Sequence, residues 1–230
     1  VVMPNGTPDI QPDDARMQRA AAKLALPDGP ILLYCGQINW KKNILRILEA
    51  SALAAAGGLD FTLVLAGQGP DAQAIADKAA ELGLSERLRF TGHIQDEELL
   101  YGLYQRAALF LFPSLYDTSG MVVREAAAMA TPSVVVAGSA AAEPIRDSEN
   151  GFLCSDSARG LAAVIEEALA DPDKTAAAGL AARESIYLSW DRIIDDALAR
   201  YRALAGAGSA DSGAGRRTGR AAAIDRARRI

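Results

Sequence analysis

The sequence has 230 residues, half of them hydrophobic, and a formal net charge of −5. That is enough apolar material for a real core, and no apolar run is long enough to read as a membrane-spanning helix. One histidine and two cysteines far apart in sequence leave no room for a multi-histidine metal site or a paired-cysteine motif.

In chain order, Val1–Gly6 reads as a strand end and a turn. Asp13–Leu26 reads as a helix with Asp13 as its N-cap and Pro27 beyond its end. The first full strand is Ile31–Gly36, and its Cys35, like Cys154, reads as a buried free thiol of a reducing cytoplasm. The following segment, GQINWKKNILRILEASALAA, changes to helical spacing, with Ile44, Leu45, Leu48 and Leu53 on one face. A strand, a glycine turn and a helix can together hold a phosphate. Gly36-Gln37 with Lys41 and Lys42 is neither a dinucleotide fingerprint nor a P-loop. Taken alone, the lysines read as an exposed pair at a helix start, where cations are disfavoured unless an anion sits there.

Phe61–Ala66 is a second strand, apolar throughout and so expected to be buried on both faces. Gly67-Gln68-Gly69-Pro70 turns into a helix over Asp71–Leu82. Its glycines either turn the chain or let backbone approach a ligand. Leu88–Gly92 is a third strand, and the exposed loop after it begins with His93 and Ile94. Asp96 caps a helix running to Ala108. Leu109–Phe112 is a fourth strand, ended by Pro113. Ser114–Gly120 is turn-forming, Met121–Ala130 is a helix, and Ser133–Val136 is the next strand. That sequence of elements is the building block of a parallel sheet.

Ala137–Cys154 turns back through Asn150-Gly151. Helices follow over Ser157–Asp171, Asp173–Tyr187 and Trp190–Ala205, and core packing accounts for the aromatic side chains of the last. Residues 206–230 carry six arginines against two aspartates in a Gly/Ala/Ser-rich setting without apolar periodicity, which reads as a disordered tail. Its plain role is solubilising, and its functional one weak contact with an anionic membrane surface. The fold class is therefore α/β: a Rossmann-like parallel sheet flanked by helices over 1–205, with ligands at the carboxyl edge of the strands.

Chemistry concentrates in the loop before Met121–Ala130. Backbone N–H groups of Gly120, Met121 and Val122 at that helix start favour an anion. Asp117 and Glu125 read either as a capping residue and a surface acid, or as a ligand-binding pair.

Five segments in order, VMPNG, GQ…KKN, GQGP, Asp117 with Glu125 after seven residues, and AAEPI…NGFL, resemble the retaining glycosyltransferases of family 4. The family usually has Glu followed by Gly-Phe-Gly where this chain has Asp117-Thr118-Ser119-Gly120, a departure shared by a bacterial branch. It has Gly-Arg and Lys-Gly where this chain has Gly36-Gln37 and Lys42-Asn43, so one cation is replaced by an amide. The resemblance implies one half of a GT-B fold, the half that binds a nucleotide-sugar donor (UDP-, GDP- or ADP-sugar), without metal or cofactor. It implies that Gly36, Gln37, Lys42, Gly67, Gly69, Ser119, Gly120, Met121 and Val122 surround the diphosphate. His93 and Ile94 then lie by the base, Glu125 takes the ribose hydroxyls, and Asp117 and Lys42 act on the sugar and the departing diphosphate.

An acceptor-binding N-terminal domain would precede Val1, and the site would be cytoplasmic or at the inner membrane surface, with no nucleic acid partner. A non-catalytic nucleotide-binding module is the alternative.

Overall fold

Among the described residues, six short strands pair into one parallel sheet. In the computed structural model these are β1 (Ile31–Cys35), β2 (Thr62–Ala66), β3 (Leu88–Gly92), β4 (Leu109–Phe112), β5 (Ser133–Val136) and β6 (Phe152–Cys154), in the order β3-β2-β1-β4-β5-β6. The structure describes Met3, residues 5–117 and residues 120–214, those from 206 onward as backbone only. The chain steps outward from β1 to β3, then returns to lay β4 along the other side of β1, with Leu32 opposite Leu109 and Leu33 opposite Phe110.

Burial on both faces explains why the central strands are apolar at every position rather than at alternate ones. Ile31 to Tyr34 and Leu109 to Phe112 are all buried. The rings of Tyr34, Phe112 and Phe110 stack along β1 and β4, with centroids 6.4 and 5.9 Å apart.

Helices α1 (Asp14–Lys23), α2 (Ile44–Ala56), α3 (Ala72–Glu81), α4 (Glu97–Arg106), α5 (Met121–Ala128), α6 (Ala158–Ala170) and α7 (Pro172–Ser185) connect and cover the strands. Many of their buried positions are alanine, among them Ala50, Ala54, Ala126, Ala127, Ala128, Ala162 and Ala178, so backbones pack close to the sheet. Caps fall where the sequence puts them: Asp13, Asp96 and Ser157 each accept an amide hydrogen bond at a helix start. Ser157→Ala removes the bond from the Gly160 N–H and is expected to cost about 1 kcal/mol in urea unfolding.

Three features differ from expectation. Phe152–Cys154, read as part of a turning segment, is the outer strand β6, paired in parallel with β5; three residues are too short to carry a period. The last helix, α8, runs over Trp190–Ala214, past Ala205 and into the expected tail, because alanine favours helix even where glycine and serine are interspersed. Its Trp190, Ile194, Leu198, Tyr201 and Leu204 are exposed, so core packing does not account for its aromatics, although Ile193 is buried.

The chain divides into two compact units, one being Asn5–Ser189 and the other holding Met3 and α8. The arginines of the expected tail, Val1, Val2 and Pro4 of the VMPNG segment, and Thr118 and Ser119 lie outside the described residues.

Candidate functional site

The reversal between β1 and β4 leaves a crevice at the carboxyl edge of the sheet, where open α/β folds take their ligands. Two loops border it. The first, after β1, begins at Gly36 (φ +150°). The Tyr34 hydroxyl donates to the Gln37 carbonyl at 2.9 Å, and Asn39 donates from Nδ2 to the Gln37 side chain at 2.8 Å. Asn39 also caps a single 3-10 turn, Trp40–Lys42, that precedes α2. The sequence predicts a direct entry into the helix; the structure inserts this turn, which carries Lys42 at its end.

Asn43 then takes a left-handed conformation, φ 60° and ψ 30°. The family has glycine here, and asparagine is the residue that best replaces glycine in that region. Its Nδ2 donates to the Pro113 carbonyl and to Asp156 Oδ1, both at 3.1 Å. Asn43 therefore fastens the β1 loop to the loop after β4 and to the start of α6. An asparagine in the place of a glycine is the sequence signal that marks it.

The second loop carries Asp117. Its Oδ1 accepts the Gly120 N–H at 2.8 Å and its Oδ2 accepts Lys42 Nζ at 3.2 Å. Both side chains of this ion pair are about three-quarters or more buried, and Lys42 also lies 5.9 Å from the Phe112 ring centre. One carboxylate thus joins the cation of the first loop to the helix start of the second. This corrects one expectation: the Gly120 N–H is not free for a ligand, because Asp117 occupies it. Gly120 itself has φ 56°. Met121 and Val122 open α5, where backbone amides have no preceding helical turn to bond to.

Glu125 lies one turn further along α5. It is not a solvated surface acid: Oε2 accepts the hydroxyl of fully buried Tyr104 at 3.0 Å. Burial pushes its carboxyl above the usual carboxylate range, against the lowering effect of the Tyr104 hydrogen bond and with a further rise from nearby Glu97. Burial likewise holds the Cys35 thiol up at about 11, so it is neutral beside the carboxylate.

Gly36, Gln37, Gly67, His93 and Ile94 line one cleft of about 320 Å³, so the structure brings these expected residues together, with Cys35 beside them. Gly69 does not line it. Gly67 and Gly69 have another reason to lack side chains: a Cβ would stand 1.8 Å from the Gly36 carbonyl oxygen and 2.1 Å from that of Ile38. The close approach they permit is of one loop to the other.

The glycosyl transferases group 1 family model matches residues 17–185. A GDP-mannose-dependent alpha-(1-6)-phosphatidylinositol dimannoside mannosyltransferase of Mycobacterium tuberculosis is 29% identical over 190 residues, covering 83% of this chain and 48% of that protein. The chain thus spans about half the length of the curated relatives it matches. Among solved structures, the Anabaena protein HepE in complex with UDP superposes with a TM-score of 0.78 at 20% identity, over 88% of this chain and 57% of that one. The C-terminal domain of a group 1 family glycosyl transferase from Francisella tularensis superposes with a TM-score of 0.68 at 21% identity, over 76% of this chain and 93% of the domain. With the family model matched over most of its length, this chain belongs to the glycosyl transferases group 1 family.

Proposed function

We propose that this chain is the donor-binding half of a retaining, nucleotide-sugar-dependent glycosyltransferase, which moves a hexose to an acceptor held by an N-terminal domain. The observation that carries this reading is the convergence at the β1/β4 crevice of a cation and a helix start, joined through Asp117, with a half-buried acid on the same helix. A nucleoside diphosphate has matching parts. Its diphosphate needs cations and N–H donors, which Lys42, the Gln37 amide and the amides of Met121 and Val122 supply. Its ribose presents two hydroxyls, which the Glu125 carboxylate accepts. Its base fits the cleft between Gln37 and His93-Ile94. Relatives named for GDP-mannose and solved with UDP are consistent with such a donor.

The chemistry follows from charge. As the bond between the anomeric carbon and the diphosphate breaks, negative charge develops on the leaving oxygens, and Lys42 and the α5 amides, held in place beforehand, stabilise it. Asp117 orients Lys42 and caps the helix. Carboxylate oxygens have further lone pairs, and with these Asp117 accepts a hydroxyl of the sugar.

Titration calorimetry of the protein with UDP, GDP and ADP tests the reading. One nucleotide is expected to bind, and Glu125→Ala to weaken it by roughly tenfold to a hundredfold, the range for hydrogen bonds to a charged group. No binding of any of the three at millimolar concentration would overturn it.

Glu125 also gives a stability signature. Its native state binds a proton more tightly than the unfolded chain does, so the ionised carboxylate costs stability as pH rises through the raised native pKa. Glu125→Gln is therefore expected to raise the melting temperature at neutral pH while weakening nucleotide binding. An acid kept only for structure would show a lower melting temperature.

A further inference from the structure

Tyr104 lies on α4, in the core, and nothing about packing requires its hydroxyl. The ring meets Phe110 edge-on at 5.4 Å between centroids, a contact that phenylalanine would make equally well. The Tyr104 carbonyl accepts the buried Thr131 hydroxyl at 2.6 Å, which fixes this end of α4 to the turn after α5. The residue is thus held by its ring on β4 and by its backbone beyond α5. Its hydroxyl is delivered to the middle of α5, onto Glu125 Oε2 at 3.0 Å.

Burying a hydroxyl and a carboxylate together is unfavourable next to an apolar pair of the same volume. The surrounding helix is Ala126, Ala127 and Ala128, where an apolar pair would have packed. A glutamate also has three side-chain torsions to fix. One hydrogen bond to a rigid donor fixes them and leaves the other oxygen, Oε1, as an acceptor. The carboxylate interacts electrostatically with Cys35 of β1 and with Glu97, Tyr101 and Tyr104 of α4. Of these, the Tyr104 hydroxyl is the donor that reaches it.

We propose that Tyr104 is a positioning residue for nucleotide recognition: its hydroxyl holds Glu125 Oε2 so that the carboxylate faces the 2′- and 3′-hydroxyls of a ribonucleotide. The proposal rests on the donor-site reading above and deepens it, assigning the discrimination of ribose from 2′-deoxyribose to a residue that touches no ligand.

The test compares wild type, Tyr104→Phe, Glu125→Gln and the double variant by calorimetry. The probes are UDP, GDP and ADP and their 2′-deoxy counterparts, from pH 5 to 8. Tyr104→Phe is expected to weaken the preferred ribonucleotide about tenfold and the deoxy form much less. Its acid limb of binding is expected to move to higher pH, since the carboxylate loses a donor that favours its ionised form. In the Glu125→Gln background the same change is expected to do little, the sign of two residues acting as a unit.

Equal losses for ribo and deoxy probes, an unmoved acid limb, or the same loss in both backgrounds would each overturn the role of Tyr104. Far-ultraviolet circular dichroism and melting of each variant separate these outcomes from misfolding. If Tyr104→Phe does not fold, the wild type alone decides: less than threefold preference for the ribose form overturns the proposal. Failure of wild type to bind any ribonucleotide would strike the donor-site reading itself, whereas wild-type binding with an unmoved Tyr104→Phe strikes only this inference.

Discussion

Gly67→Ala is expected to destabilise the protein by about 3 kcal/mol or more, and to leave little folded material at 37 °C. Two costs coincide at this position. The backbone has φ +139°, which side-chain-bearing residues rarely adopt and which costs on the order of 1–3 kcal/mol. The added Cβ would also stand 1.8 Å from the Gly36 carbonyl oxygen, and a backbone atom cannot swing aside as the end of a side chain can. Overpacking of that kind costs roughly 1–3 kcal/mol more.

Two other glycines serve as controls. Gly58 has φ +92° with nothing within 4 Å of its Cβ position, so Gly58→Ala meets only the conformational cost. Gly29 has open space and an ordinary backbone, so Gly29→Ala is expected to be near neutral. Urea unfolding of the three variants orders them, and a Gly67→Ala no worse than Gly58→Ala would refute the account of interlocked loops.

Lys42→Ala is expected to weaken a nucleoside diphosphate by roughly tenfold to a hundredfold, the value of charge-assisted hydrogen bonds. It should weaken the corresponding monophosphate far less. The contrast separates a binding role from a structural one, because the same change also costs stability: Asp117 keeps the Gly120 N–H when Lys42 is lost, but its largely buried carboxylate is left without its cation. Calorimetry with UDP and UMP, or with the guanosine pair, reads the difference. Equal losses for mono- and diphosphate would place Lys42 away from the second phosphate.

Much of this architecture is legible in the chain. β4 and β5 read directly because both faces are buried, so every residue of LFLF and SVVV is apolar or small. Helix starts at Asp13, Asp96 and Ser157 read because a short polar side chain must satisfy amides that the helix cannot. What escaped was contact through space. Tyr104 and Glu125 are on different helices, and helical spacing alone assigns Tyr104 to the core, which is true but says nothing of where its hydroxyl ends. Gly67 and Gly69 could be marked as places of close approach, yet the sequence names no partner, and the partner proves to be the neighbouring loop. Asp117 reads as a capping residue or as a ligand-binding acid; it does accept the Gly120 N–H at the start of α5, and what the sequence does not show is that its other oxygen links that helix start to Lys42. Glu125 is equally consistent with a solvated acid in the sequence, and only its burial and the Tyr104 hydroxyl set it apart.

The hydrogen-bond ladder of the sheet does not stop where its strands do. Past the strand ends, Gly36 donates to the Ala66 carbonyl, Gly67 to that of Gly92, and Ile38 to that of Gln68, at 2.9, 2.9 and 3.0 Å. The turns after β1 and β2 are therefore part of the same cooperative unit as the core, and opening them requires opening the edge of the sheet. Their amides are expected to exchange with solvent as slowly as those of the strands behind them. A ligand arriving there meets a surface already ordered, so little of its binding free energy is consumed in fixing the protein.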